Sequence, residues 1–152
     1  MTDLLGSTKE DYASIVRWMS FANSEILPAL GGWFNPLIGR KPFIQQEVDA
    51  NQHATLQRFQ ILEEHLASNQ AAVGGDRPVC LVGDSLTLAD LFVAGIVAGA
   101  FRFLLGREWR EGHPACTGWF ERVAGLEMME AVVGKAVWAE QAMPSVPPER
   151  RE

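Results

Sequence analysis

Cys80 and Cys116 carry the strongest nucleophiles of this 152-residue chain. Cys80 is flanked by apolar residues, and apolar surroundings raise the pKa of a thiol and make it unreactive. Cys116 follows Pro114 in the first turn of a predicted helix, where the positive helix end would lower the thiol pKa. An isolated cysteine more often serves packing than catalysis, so the sequence assigns no catalytic residue.

Other residue types that form sites are scattered along the chain. His53, His65 and His113 share no metal-ligand spacing, and we predict no metal site. His113 is instead predicted to cap a helix. The acidic residues form no convincing acid–base pair. Gly74-Gly75 lacks the preceding strand and the following lysine of a phosphate-binding loop.

Thr87 and Asp90 have the spacing of a helix cap. A threonine followed three residues later by a carboxylate forms a capping box, in which each side chain accepts a hydrogen bond from the other residue's backbone amide. Leu86 and Leu91 add a hydrophobic staple. We therefore predict a structural role for Thr87 and Asp90, and loss of such a cap costs about 1 kcal/mol, more when it is buried.

The helix that follows this cap, Leu88 to about Leu105, is apolar on nearly all sides. Such a helix is stable in water only when other helices surround it.

A capping box at Ser7 and Glu10 predicts the start of the first helix. That helix is predicted to end at Pro28 and Gly31-Gly32, and an aromatic turn is predicted at 33–39. A second helix is predicted from Pro42, followed by a loop at 71–79. After the central helix, we predict a helix that begins at Pro114, one through Met128 to Gly134, and a short one at Trp138.

No stretch alternates between apolar and polar residues with the period of a strand. The sequence therefore predicts an all-α domain over residues 1–142, a helical bundle around one buried central helix. Residues 143–152 include three prolines and are predicted to form an extended tail, packed on the bundle or frayed.

Composition excludes several classes of function. Thirteen basic and nineteen acidic residues give a net charge of −6, which opposes binding to nucleic acid or to an acidic membrane surface. The sequence shows no signal peptide, and the apolar stretch at 91–101 is too short to span a bilayer. We therefore expect a cytoplasmic protein.

Several segments together resemble the all-helical C-terminal domain of glutathione transferases. They are most like the transferase-type domain of the elongation factor 1 gamma subunit and its fungal relatives. The resemblance rests on Ser85–Ala94, Arg107–Arg110, His113-Pro114, Trp119-Phe120 and Trp18–Ile26 with Pro28. The family's thioredoxin-like N-terminal domain, which activates the glutathione thiol, has no counterpart here. A glutathione role is therefore expected to need a partner chain or a new site built from helices.

In this family the first helix of the domain and the end of the central helix line the cavity for the electrophilic substrate. The resemblance implies a substrate or glutathione site formed by Arg17, Trp18, Phe21, Asn23, Trp33, Arg102 and Phe103. Aromatic walls suit flat conjugated compounds, and a guanidinium suits a carboxylate or an enolate. The alternative is that the aromatic residues are core and the arginines are solvated. Trp33 and Phe34 could also form a contact surface for another chain.

Two functions remain open on the sequence alone. One is a glutathione-dependent enzyme of specialised metabolism that conjugates or isomerises a small electrophile. The other is a non-catalytic interaction module related to elongation factor 1 gamma. Both predict a homodimer or a hetero-complex, because the face normally covered by the thioredoxin-like domain would otherwise be exposed.

Overall fold

A computed structural model describes residues 3–151. The helices are α1 (Lys9–Phe21), a π-helical turn (Ala22–Ile26), α2 (Leu27–Leu37), α3 (Gln45–Val73), α4 (Leu88–Phe103), α5 (Arg107–Gly112), α6 (Pro114–Ala124), α7 (Glu127–Val133) and a 3₁₀ turn (Pro148–Arg150). No β-strand occurs anywhere in this range, which confirms the all-α prediction.

The first helix is capped one residue later than predicted. Thr8, not Ser7, is the N-cap, and its hydroxyl accepts a hydrogen bond from the Asp11 amide at 3.0 Å. The Asp11 carboxylate in turn accepts from the Ser7 amide at 3.0 Å. Ser7 with Glu10 and Thr8 with Asp11 both place a hydroxyl three residues before a carboxylate, and only one of these pairs can cap the helix. The prediction of a box at Ser7 and Glu10 is therefore wrong.

The predicted end of the first helix at Pro28 and Gly31-Gly32 is also wrong. Pro28 lies in the first turn of α2, where the missing amide is tolerated, and the π-helical turn carries the chain directly from α1 into α2. A Cβ atom at Gly32 would collide with the Asn51 side chain of α3. Gly32 thus permits close packing of α2 on α3, and helix α2 continues through Trp33 to Leu37.

Helix α3 begins at Gln45, three residues after the predicted start at Pro42, and continues into the predicted loop. Its apolar stripe is buried, with Phe59, Leu62 and Leu66 fully inaccessible. Gly74 ends the helix with a φ of 66°, a conformation that favours glycine.

Helix α4 is the predicted central helix, and Val93, Val97 and Phe101 are completely buried. The capping box at its start has the predicted form: the Thr87 amide donates to Asp90 Oδ2 at 3.0 Å. Asp90 is itself inaccessible and also accepts from the Leu81 amide at 2.9 Å and from Trp119 Nε1 at 2.8 Å. One carboxylate therefore joins the start of α4 to the preceding loop and to α6.

The chain after α7, here called the C-terminal segment (residues 135–151), packs along the bundle. Trp138 lies in a non-helical stretch, so the short helix predicted there is wrong. Its ring packs edge-on against Phe101 and Phe120, which are themselves stacked 4.2 Å apart. The Ala139 amide donates to the Phe101 carbonyl at 3.0 Å and the Met143 amide to the Phe103 carbonyl at 2.8 Å. The C-terminal segment thus caps the end of α4.

The Pro-rich end of this segment also contacts the bundle. Met143 packs against the core, and the Arg151 guanidinium donates to the Leu37 carbonyl at the end of α2. Across the described residues, no helix is both long enough and apolar enough to cross a membrane.

Candidate functional site

Three of the residues implied by the resemblance meet in one cavity between α1 and α3. Arg17, Trp18 and Phe21 from α1 face Ile61 and His65 from α3 around a volume of about 340 Å³. Trp18 contacts Phe21 edge-on at 5.6 Å and lies 4.3 Å from the His65 ring. This α1/α3 cavity has aromatic and aliphatic walls, with the Arg17 guanidinium as its permanent charge.

His65 is held in place by the loop that precedes α4. Its Nε2 atom lies 2.7 Å from the Leu81 carbonyl oxygen, a distance that requires the proton on Nε2. The Nδ2 atom of the Asn69 side chain donates to the neighbouring Cys80 carbonyl at 3.0 Å. In the neutral ring Nδ1 is then an acceptor, so His65 can offer a hydrogen-bond acceptor beside the apolar walls.

Sequence reasoning missed Ile61 and His65. The two residues are four apart and therefore share one face of α3. An isoleucine followed four residues later by a histidine was the available signal. The identity of the facing helix could not be obtained from the spacing.

Arg102 and Phe103 lie elsewhere, at a second cavity of about 190 Å³ between α4, α7 and the C-terminal segment. The Arg102 guanidinium lies 5.2 Å from the Phe103 ring centre, and Phe34 stacks on the same ring at 5.1 Å. The structure therefore distributes the implied residues over two cavities. We call the second one the α4/α7 cavity.

The remaining implied residues line neither of these cavities. Asn23 is exposed in the π-helical turn. Trp33 is 1% exposed and belongs to the core, at the edge of a further cavity with Leu56 and Trp109. The prediction that Trp33 lies in an exposed turn is wrong, because α2 continues past it and α3 covers it.

Both cysteines are buried and neither is an activated nucleophile. Burial raises the pKa of the Cys80 thiol to about 11, with the Asp90 carboxylate adding to the effect, which agrees with the prediction of an inert thiol. Burial, followed by the Glu63 carboxylate, also raises the pKa of Cys116. The prediction of a lowered pKa there is wrong, because the thiol is completely buried and, in addition, the Glu63 carboxylate occupies the helix end that would have stabilised a thiolate.

Glu63 provides a cap for α6 from a neighbouring helix. Its two carboxylate oxygens accept from the Ala115 amide at 3.1 Å and the Cys116 amide at 2.6 Å. Changing Glu63→Gln is expected to lower the free energy of unfolding by about 1–3 kcal/mol, because the charge is lost and one amide loses its acceptor.

Urea unfolding followed by far-ultraviolet circular dichroism measures this effect. Glu64→Gln is the matched control, since Glu64 is exposed and its carboxylate accepts only from the Gln60 side chain; a change within about 0.5 kcal/mol is expected there. Equal losses in the two variants would contradict the capping role.

The histidines form no common site. No group of three or more metal-ligating side chains occurs within residues 3–151. His113 stacks on Trp109 at 3.9 Å, and its Nδ1 lies 2.7 Å from the Trp109 carbonyl oxygen. It stands at the N-cap position of α6 without a side-chain capping bond, so the predicted capping by this side chain is wrong.

Residues 26–127, more than half of the chain, match the glutathione S-transferase C-terminal domain. The chain belongs to this family. The match begins at the end of the π-helical turn and ends in α7, so it includes the central helix with its capping box.

Relatives extend the match to nearly the whole chain. Glutathione S-transferase stcT of Emericella nidulans is 50% identical over 97% of this chain and 64% of its own length. Among solved structures, the GST-like domain of elongation factor 1-gamma from Saccharomyces cerevisiae is similar with a TM-score of 0.82 and 29% identity, over 94% of this chain and 62% of that one.

A third similar protein shares the fold at lower identity. Glutathione transferase URE2P6 from Phanerochaete chrysosporium, solved in complex with oxidized glutathione, has a TM-score of 0.70 and 20% identity over 84% of this chain and 54% of its own. The chain spans about half to two thirds of the length of the curated relatives that it matches.

Proposed function

We propose that this chain provides the helical part of a glutathione-dependent enzyme acting on a small electrophilic or conjugated substrate, by conjugation or by thiol-assisted isomerisation. The observation that carries the proposal is the 50% identity to a fungal glutathione S-transferase over 97% of the chain. The proposal includes a cytoplasmic location and association into a dimer or hetero-complex.

The α1/α3 cavity supports the kind of substrate. Trp18 and Phe21 meet at right angles, an arrangement that leaves a flat apolar wall for a conjugated ring system. Arg17 is exposed at the rim, where its guanidinium can pair with a carboxylate or an enolate oxygen. A substrate with an apolar conjugated body and an oxygen anion at one end fits both features.

The thiol is expected to come from bound glutathione, since Cys80 and Cys116 are buried with raised pKa values. The relatives have additional length outside the matched region. A partner chain is expected to approach the exposed side of α1 and α4. Tyr12 and Val16, about half exposed and one helical turn apart, lie on α1, and Gly95 and Gly99 are open on α4.

Calorimetry of the full chain with glutathione tests the proposed enzymatic function. We expect measurable heat of binding that is weakened roughly tenfold or more by Arg17→Ala, because a charge-assisted hydrogen bond is lost. Arg107→Ala is the matched control, as this exposed arginine lies on α5 and pairs with Glu140. No heat at millimolar glutathione, with protein that unfolds cooperatively, would contradict the proposal.

The second candidate is a non-catalytic interaction module. The TM-score of 0.82 to the elongation factor 1-gamma domain favours it. Light scattering of the full chain, alone and as the Val16→Glu variant, distinguishes the two. A complex that dissociates in the variant, without any heat from glutathione, supports the module; a monomer that binds glutathione supports the enzyme alone.

A further inference from the structure

A third cavity lies between α2, α3 and α5, and it shares no lining residue with the α1/α3 cavity. Its volume is about 770 Å³, within the range of about 300–1,000 Å³ that is usual for small-ligand sites. Its lining includes Trp33 of α2, Gln52 and Leu56 of α3, and Leu104 and Leu105 after α4. We call it the Trp33 cavity.

The indole of Trp33 carries a buried hydrogen-bond donor that has no protein partner. The side chain is 1% exposed, and its Nε1 atom forms no hydrogen bond with the described residues. Most buried donors in proteins have a partner, because a donor that loses water and gains no acceptor is destabilising. The buried indole of Trp119 follows this rule and donates to Asp90 at 2.8 Å. Trp33 therefore lacks an acceptor that a ligand in the adjoining cavity could supply.

Gln52 gives the cavity a second polar group, on the helix that packs against α2. The residue is half-buried, and its side-chain amide forms no hydrogen bond with the described residues. A glutamine oxygen is an acceptor, whereas an indole N–H is a donor only. Trp33 and Gln52 together thus complement an amide, whose carbonyl needs a donor and whose N–H needs an acceptor.

The C-terminal segment fixes another wall of the cavity. A Cβ atom at Gly106 would lie 2.9 Å from the Glu140 carbonyl oxygen, so glycine permits this close approach. The Arg107 amide donates to the same oxygen at 3.0 Å, and the Arg110 guanidinium donates to the Ala139 carbonyl. Because these contacts exist without a ligand, the wall is already formed, which lowers the cost of binding.

The charged groups around the cavity disfavour an anion. Arg107 and Glu140 pair with each other at 2.8 Å, which leaves Glu108 and Glu111 as exposed carboxylates at the rim. Exposed charges add little affinity, but they repel a second negative charge nearby. Together with the apolar Leu104 and Leu105, this lining favours an uncharged ligand with an aliphatic body.

We propose that the Trp33 cavity binds an uncharged amide with an aliphatic side chain, about the size of one peptide unit. The amide carbonyl accepts from Trp33 Nε1, the amide N–H donates to Gln52 Oε1, and the aliphatic group lies against Leu56 and Leu104. Because Trp33 is 1% exposed, the half-buried side chains of Gln52 and Leu56 shift to admit the ligand. This binding does not depend on the chain binding glutathione.

N-acetyl-leucine methylamide is a suitable probe, and N-acetylleucine is its anionic counterpart. The assigned indole N–H resonances of the ¹⁵N-labelled full chain are followed during titration with each. We expect the methylamide to move the Trp33 indole proton downfield, because the N–H gains an acceptor. The indole of Trp18, which also has no partner but lines the α1/α3 cavity, should stay in place. N-acetylleucine should bind about threefold more weakly or worse, since a carboxylate replaces its second amide.

Gln52→Ala tests the second contact. The variant loses the acceptor for the amide N–H, so we expect the methylamide to bind about threefold to tenfold more weakly. Gln57→Ala is the matched control, because Gln57 is exposed on the same helix and does not line the cavity; its affinity should be unchanged.

Three results would overturn the proposal. One is a Trp33 resonance that stays in place at millimolar methylamide, including the case in which a nuclear Overhauser contact identifies a bound water as its partner. Another is a shift of the Trp18 resonance instead, which would place the ligand in the α1/α3 cavity. The third is equal affinity in Gln52→Ala and the unmodified chain.

Discussion

Replacing Asp90 by alanine is expected to lower the free energy of unfolding by about 4 kcal/mol or more. The carboxylate is completely buried and accepts from the amides of Leu81 and Thr87 and from the indole of Trp119. Each buried donor left without an acceptor costs about 1–3 kcal/mol. Since domains of this size are stable by about 5–15 kcal/mol, the variant loses a large part of its stability.

Urea unfolding, with tryptophan fluorescence and circular dichroism as separate probes, measures this loss. Asp84→Ala is the control, because Asp84 is an exposed aspartate in the same loop; a change within about 0.5 kcal/mol is expected. Asp90→Asn should fall between the two, since the amide retains one acceptor oxygen. A loss below 1 kcal/mol in Asp90→Ala would show that the carboxylate does not hold the three segments together.

Changing Trp33→Ala is expected to cost about 3–5 kcal/mol, the usual range for removing a fully buried aromatic side chain. The side chain is 1% exposed, and its Nε1 atom has no hydrogen-bond partner within the described residues. The loss therefore comes from packing. Trp33→Phe should cost clearly less, because it keeps an aromatic ring and breaks no hydrogen bond.

Circular dichroism and light scattering together test this second prediction. The sequence predicts a turn at Trp33, where the side chain could contact another chain; its burial in the structure instead predicts a loss of helix content. Leu27→Ala, at a position 44% exposed on the same helix, is the control and should leave both measurements unchanged. Normal helix content with altered association in Trp33→Ala would instead support the prediction that Trp33 contacts another chain.

Features that depend on neighbours in sequence could be predicted. The capping box at Thr87 and Asp90 is complete within four residues, and the apolar run behind it indicates the central helix whatever surrounds it. Gly31-Gly32 could not be interpreted in the same way. Glycine is compatible both with a helix end and with a close helix contact, and the residue that decides between them, Asn51, belongs to another helix.

In the candidate site, too, the contacts between helices could not be predicted from the sequence. Arg17, Trp18 and Phe21 share one side of α1 because of their spacing, and they line one cavity. Arg102 lies at a different cavity, and its position could not be predicted because no local pattern gives the distance between two helices. The burial of Cys116 and the capping of α6 by Glu63 of α3 also come from contacts between helices, which explains the wrong sign predicted for the pKa of Cys116.

The hydrogen bonds from the C-terminal segment to α4 have a consequence for how the protein forms during translation. The carbonyls of Phe101 and Phe103 obtain their partners from Ala139 and Met143, far later in the chain. At synthesis rates of about 5–20 residues per second, the last turn of α4 stays incomplete for seconds after it leaves the ribosome. During that interval the nascent chain exposes the apolar surfaces around Phe101 and Phe120 that Trp138 later covers, and these surfaces are where a chaperone would be expected to bind.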